Sequence, residues 1–458
     1  MESRMDRRQF TKMGAAVAGA SMLGHSIASA RPWDSMVEVV LPRNRVPLSF
    51  IIDDSTCLVN MGRYCMPQFA EAWPERDEYK RPWESWPHEI PDDFVRRFGT
   101  WSAEQGVKGK YSIVPYPACV GWLDRELPGW SRQSLRNSLK LVRDLMVPNW
   151  DIHPEMLTHT RVIDLKTGRP MDPSHAGTME NSFPQEDKSV DELASYLAYA
   201  LKILKNCELP CEGITTPGGF GNKVKEKLPL AVFEAVRDVY GVELPHYFKY
   251  VVDDDKPTVP KMEGLRSRSL DSLQVTVNVP AGTGDWFGGW DGSRPCEDEK
   301  YCSRDGSAGR MVELIQRRQP AIMLCHWAGL YGNGEEEGFK AFQRIVRTLH
   351  AQFADSTQWM KISQIARYWA AKELTRITAH ATGITFDGPL DCPSFTIRVP
   401  HNLRNVIYSN PRDQDFRFRE VAQSSLLTDG TCWAESPSHT LYCFALHRGI
   451  TRLSWNVE

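Results

Sequence analysis

A chain of 458 residues, 41% hydrophobic and 25% charged, is long enough for a large core plus an accessory unit, and its net charge of −3 offers no basic field to nucleic acid. Eleven cysteines, odd in number and without a CxxC, exclude a regular disulfide framework, although Cys207/Cys211 and Cys296/Cys302 are close enough for local pairs. Fifteen tryptophans suit both core packing and stacking on sugar faces.

The chain opens with Asp6-Arg7-Arg8-Gln9-Phe10-Thr11-Lys12, a twin-arginine pattern, followed by a weakly apolar run from Met13 to Ile27 and the small-x-small site Ala28-Ser29-Ala30. Residues 1–30 therefore read as a Tat signal peptide, and a periplasmic or extracellular protein is expected. The apolar run is too short and too rich in Gly, Ala and Ser for a transmembrane helix of roughly 20 residues, so no membrane span is expected after cleavage.

Ser49-Phe50-Ile51-Ile52-Asp53-Asp54-Ser55 reads as an apolar strand ending in two adjacent carboxylates. Met61 to Ile90, dense in Pro and aromatic residues, lacks a clear period and is expected to be a long loop, either a substrate wall or an Ω-loop packed on itself. From Pro91 the pattern turns helical: Asp92 and Asp93 occupy the first turn, where the dipole favours anions, and Phe94, Val95, Phe98 and Trp101 mark an apolar face. Gly106-Val107-Lys108-Gly109 stops this helix, and Lys110 to Pro115 reads as the next strand.

A loop bearing Trp122 and Trp130 leads to an amphipathic helix over Ser131 to Leu145, then a third strand-like segment carrying His153, Glu155 and His159. A long helix is expected from Val190 to Lys205, a helix from about Phe339 to Phe353, a strand over Trp359 to Ile362 and a helix over Ser363 to Lys372. Beyond Glu373, short β-branched and aromatic runs alternate with turn residues, which predicts a small antiparallel β-domain over 376–458 that packs on the preceding α/β part or binds glycan.

Ile51-Ile52-Asp53-Asp54-Ser55 stands where the polysaccharide deacetylase (NodB-homology) superfamily has T-F-D-D-G, and Ala321-Ile322-Met323-Leu324-Cys325-His326 resembles its L-x-H motif at a strand end. Between them, His153 with His159 is similar to the family's H-[ST]-x-x-H with two extra residues; holding the family spacing instead puts Glu155 in the first histidine's place. Gly213 to Phe220 resembles the R-x-P-Y-G motif, with Thr215 standing where the family has the arginine that orients its base, and Asp285-Trp286 loosely matches a further Asp-Trp motif.

The resemblance, over roughly Pro47 to Trp369, implies an α/β protein: a distorted (β/α) barrel of the glycoside hydrolase/deacetylase type over residues 45–372. It implies a metal-dependent hydrolase removing acyl groups from carbohydrate by amide cleavage. Asp54, His153 and His159 would bind a divalent metal, zinc or another transition ion, which lowers the pKa of bound water towards about 7. Asp53 would act as base and His326 as acid. Thr216, Pro217, Gly218, Asp285, Trp286 and Trp327 would line the substrate site. Two other readings stay open: a glycoside hydrolase or lyase on the same barrel, in which Asp53 and a second acid handle a glycosidic bond, and a carbohydrate-binding protein that has lost turnover. Blander roles also compete, since aspartates cap turns and a histidine can serve a nearby carbonyl.

Overall fold

A computed structural model of the chain describes residues 37–54, 58–172, 176–268, 272–400, 403 and 405–455; the signal-peptide expectation over 1–30 and Ser55 of the first motif lie outside them. The protein is mixed α/β. Its central strand, β1 (Val46–Asp53), is buried at every position, which is why its sequence is a continuous apolar run instead of an alternation. On one edge β1 pairs in parallel with β2 (Gly109–Ile113), which pairs with β3 (Trp150–Pro154). A second sheet contains β4 (Gly213–Thr215), β5 (His246–Phe248), β6 (Lys261–Ser267) and β7 (Gln274–Asn278), parallel except for the antiparallel edge strand β6. The other edge of β1 pairs with β8 (Ala321–His326), and β9 (Thr357–Trp359) pairs with the start of β1.

The sheets meet twice. A parallel bridge joins Glu155 to Thr215, and after β7 the Gly282 amide donates to the Ile322 carbonyl at 2.8 Å. Two glycines permit close strand approach: a Cβ at Gly109 would lie 1.9 Å from the Phe50 carbonyl oxygen, and one at Gly213 would lie 2.4 Å from that of His246.

Helices separate the strands. Met61–Ala72 is α1, where the sequence led us to expect irregular chain; its buried residues Met61, Cys65, Met66, Phe69 and Ala72 recur at helical spacing, but Pro67 and the aromatic loop after it obscure the period. Asp92–Glu104 is α2 and Arg132–Leu141 is α3, whose N-cap Ser131 accepts from the Ser134 amide at 3.0 Å; a π-turn continues α3 from Val142 to Met146. Next come α4 (Val190–Asn206), started by a Ser189/Glu192 capping box, and α5 (Leu228–Tyr240), ended by Gly241 at φ 70°. The last helices are α6 (Arg310–Gln316), α7 (Trp327–Tyr331), α8 (Glu337–Phe353) and α9 (Ile362–Leu374). The expected strand at Trp359 to Ile362 falls earlier, because Ile362 already opens α9.

Residues 376–454 form short strands in two largely antiparallel sheets, one of them extended by the N-terminal strand Glu38–Val39. Phe386, Phe395 and Phe444 pack among themselves, with centroids 5.3 Å apart for Phe386–Phe444 and 5.7 Å for Phe395–Phe444. This part shares one continuous core with the rest: Tyr368 of α9 donates to the Val40 carbonyl at 2.8 Å and accepts from the Thr396 amide at 3.3 Å. No described helix is long and apolar enough to cross a membrane. Every described cysteine is free, Cys207, Cys211, Cys296 and Cys302 included, so neither of the local pairs that the spacing permits is formed.

Candidate metal centre

Parallel strands deliver the chemistry-bearing residues at their C-terminal ends. β1 closes with Asp53, directly opposite His326 at the end of β8. Past these ends the backbone turns left-handed at Asp54 (φ 52°), Met156 (φ 49°) and His159 (φ 63°). Each such residue costs on the order of 1–3 kcal/mol and persists where the surroundings enforce it.

Asp54, Glu155 and His159 are all buried, and each offers a ligand atom within 4.8 Å of the others. Asp54 Oδ1 lies against His159 Nε2, and Glu155 Oε1 is 3.4 Å from the same nitrogen. The Asp54 amide donates to Glu155 Oε2 at 2.8 Å, tying the two carboxylate-bearing turns together. Asp54 Oδ1 is nonetheless left without a well-directed hydrogen bond. Burial would push the Asp54 carboxyl up, but the His159 and His326 imidazoles outweigh it and bring it below its ordinary value. Burial would lower His159, but the Asp54 carboxylate drives it well above the usual imidazole range. Two carboxylates and one imidazole facing one buried point form a donor set that fits a divalent cation with further coordination positions open.

A fourth acid braces this loop. Glu180, fully buried, accepts from the amides of Leu157 at 3.1 Å, Thr158 at 3.0 Å and His159 at 2.6 Å, and from the Tyr196 hydroxyl. Burial raises its carboxyl to about 7 against these hydrogen bonds.

Beside the cluster, Asp53 Oδ1 accepts from Lys110 Nζ and, at 3.0 Å, from Ser112 Oγ. Burial and the Glu155 carboxylate raise Asp53 above the ordinary carboxyl range, with Lys110 and His326 opposing them. His326 Nδ1 donates to Asp285 Oδ2 at 2.6 Å, and its Nε2 lies 3.8 Å from Asp54 Oδ2. Burial lowers this imidazole, but Asp54 and Asp285 together raise it to about 9, so it is protonated at neutral pH. Phe69 of α1 reaches the same neighbourhood, its ring centroid 6.2 Å from that of His159, and Trp290 packs on Phe69 at 5.3 Å.

The structure thus brings together Asp53, Asp54, His159, Asp285 and His326. His153, expected as a ligand, lies elsewhere: Nε2 is 2.9 Å from His246 Nε2 and Nδ1 is 3.3 Å from Thr215 Oγ1. Residues 153 and 155 point the same way from the strand, roughly 7 Å apart along it, so His153 sits a pleat deeper than Glu155, and it is Glu155 that meets Asp54 and His159. Burial and His246 hold His153 well below the ordinary imidazole range, so it is neutral. Holding the family's histidine spacing would have selected Glu155 from sequence.

Trp327, expected at the substrate, is 1% exposed and packs on Phe98 and Tyr111 at 5.1 Å each, so it belongs to the core. Asp285 partners His326, a contact its placement among the substrate-lining residues did not foresee. Trp286 is half-buried against Tyr301 at 4.8 Å. Thr216 and Pro217 are buried and Gly218 is exposed at φ 38°. Sequence reasoning missed Lys110 and Ser112, for the first of which a lysine inside a predicted buried strand was the available signal; Glu180, in a loop able to reach the pocket, reads from sequence as ordinary surface, but it is buried.

No family model matches the chain, and no curated protein sequence matches it. Among solved structures, a 4-alpha-glucanotransferase from Thermococcus litoralis is similar at a TM-score of 0.37 and 11% identity, covering 70% of this chain; the chain spans only 40% of that protein's length. A mutant of a CE4 family pseudoenzyme with restored enzymatic activity is similar at a TM-score of 0.29 and 12% identity, over 72% of this chain and 70% of the other. An endo-beta1,6-glucanase reaches 0.28 and 9%, over 93% and 95%. These likenesses are too distant to carry an assignment.

Proposed function

We propose that the protein is an exported, metal-dependent hydrolase that removes acyl groups from carbohydrate by amide cleavage, on a distorted (β/α) barrel with its C-terminal β-region as a packing module. One observation carries this reading: Asp54, Glu155 and His159, just past the ends of parallel strands, converge on a buried point flanked by Asp53 and His326, the last residues of theirs. The strand succession supports the barrel, since β1, β2, β3, β4, β5, β7 and β8 follow one another through pairings, the Glu155–Thr215 bridge and the Gly282–Ile322 hydrogen bond.

Asp54, Glu155 and His159 would hold a divalent cation, which would supply Lewis acidity for acidifying water and polarising a carbonyl. The carboxylate-rich set accommodates zinc and also manganese or cobalt. The remaining work falls to the chain. Asp53 takes the proton of the attacking water. His326, held as imidazolium by Asp285, gives its Nε2 proton to the departing amine nitrogen, so the C–N bond breaks without expelling an amide anion.

The test is product analysis. The protein supplied with divalent metal and N-acetylated oligosaccharides is expected to release acetate without creating new chain ends. New reducing ends without acetate would assign glycan cleavage instead, and binding without either product would assign a lapsed enzyme.

A further inference from the structure

We propose that Lys110, with Ser112, is the positioning residue that fixes the Asp53 carboxylate for proton transfer. This rests on the reading of Asp53 as the base. Lys110 lies in the middle of β2 with 0% exposure, a place where a parallel sheet ordinarily holds an aliphatic side chain. A buried ammonium persists when it is paired and hydrogen-bonded, and both conditions are met: Nζ reaches Asp53 Oδ1 and donates to Ser112 Oγ at 2.7 Å.

Lys110 and Ser112, two residues apart, emerge on the same face of β2. Ser112 Oγ donates to the same Asp53 oxygen at 3.0 Å, so two donors from the neighbouring strand converge on Oδ1 and fix the carboxylate's last torsion. The Phe248 ring, 5.2 Å from Nζ, covers the ammonium from the second sheet. Among the described residues, Lys110 is the lysine or arginine side chain that pairs with Asp53.

The experiment compares the full chain with Lys110→Met, Lys110→Arg, Ser112→Ala, Asp53→Asn and the double variant Lys110→Met/Asp53→Asn. Measurements are urea unfolding, zinc titration, and kcat and KM for acetate release. Lys110→Met is expected to lower kcat at least about a hundredfold with KM and zinc affinity within about threefold of wild type. Lys110→Arg should recover part of kcat, and Ser112→Ala should lose less than Lys110→Met. The double variant should unfold at a urea concentration at or above that of either single variant, because neither charge is then left unpaired. An additive loss in the double variant, or a kcat for Lys110→Met within about threefold of wild type, overturns the proposal. A wild-type protein that neither binds zinc nor releases acetate overturns the reading of the site, and the urea comparison then still decides whether Lys110 and Asp53 act as a pair.

Discussion

Asp285 Oδ2 accepts from His326 Nδ1 at 2.6 Å, and this contact turns the opposite ring nitrogen toward the cluster of Asp54, Glu155 and His159, 3.8 Å from Asp54 Oδ2. The two residues are 41 positions apart in sequence, and the strand pairing that sets β8 beside β1 makes them functionally adjacent to Asp53 and Asp54.

Removing that charge should release the imidazole. Asp285→Asn is expected to bring His326 down from about 9 toward its ordinary value. The acid would then be lost at lower pH, and the alkaline limb of the kcat/KM profile should move down by about one unit or more. An unmoved limb would remove His326 from the role of acid.

Glu180 is fully buried and receives the amides of the loop that carries His159. Glu180→Gln replaces an acceptor oxygen with a donor facing those amides. Metal affinity should fall about 10–100-fold, as when other supporting contacts of metal ligands are removed, measured by competitive chelation.

Asp151 gives a pH prediction independent of activity. It accepts from the Ser363 amide at 2.6 Å and from Ser363 Oγ at 2.8 Å at the start of α9, and burial raises its carboxyl from 3.8 to about 6 against those bonds. Raised in the folded state, it contributes stability that is full below the unfolded pKa and lost as pH rises through about 6. Asp151→Asn keeps an acceptor and cannot ionise. Its stability relative to wild type should therefore rise between about pH 4 and about pH 7, by on the order of 3 kcal/mol, in urea unfolding.

Trp327 separates core from pocket. Trp327→Ala should cost about 3–5 kcal/mol of stability while leaving metal affinity unchanged, since its ring is enclosed by Phe98 and Tyr111. A stable variant with altered substrate affinity would instead place the indole at the substrate.

Much of this arrangement was legible in the sequence where local pattern decides it. The apolar run into Asp53 gave β1, the periodic faces gave α2, α4, α8 and α9 within a few residues, and the β-branched runs after Glu373 became strands. What failed was information carried by neighbours in space. A residue's depth along a strand decides whether His153 or Glu155 meets Asp54; residue type points to the first and motif spacing to the second, so the sequence leaves both open. A lysine in a buried strand is costly until its partner is known, and Asp53 lies 57 residues away. Trp327, next to His326, looked like a pocket rim; the helix that starts there turns its ring into the core.

The metal content of the purified protein tests the central claim most directly. Titration with zinc, followed by elemental analysis after desalting, should give about one equivalent for wild type, none retained by Asp54→Ala, and a marked loss for Glu155→Gln. Equal zinc retention by wild type and Asp54→Ala, or none by wild type, would contradict a metal centre built on Asp54, Glu155 and His159.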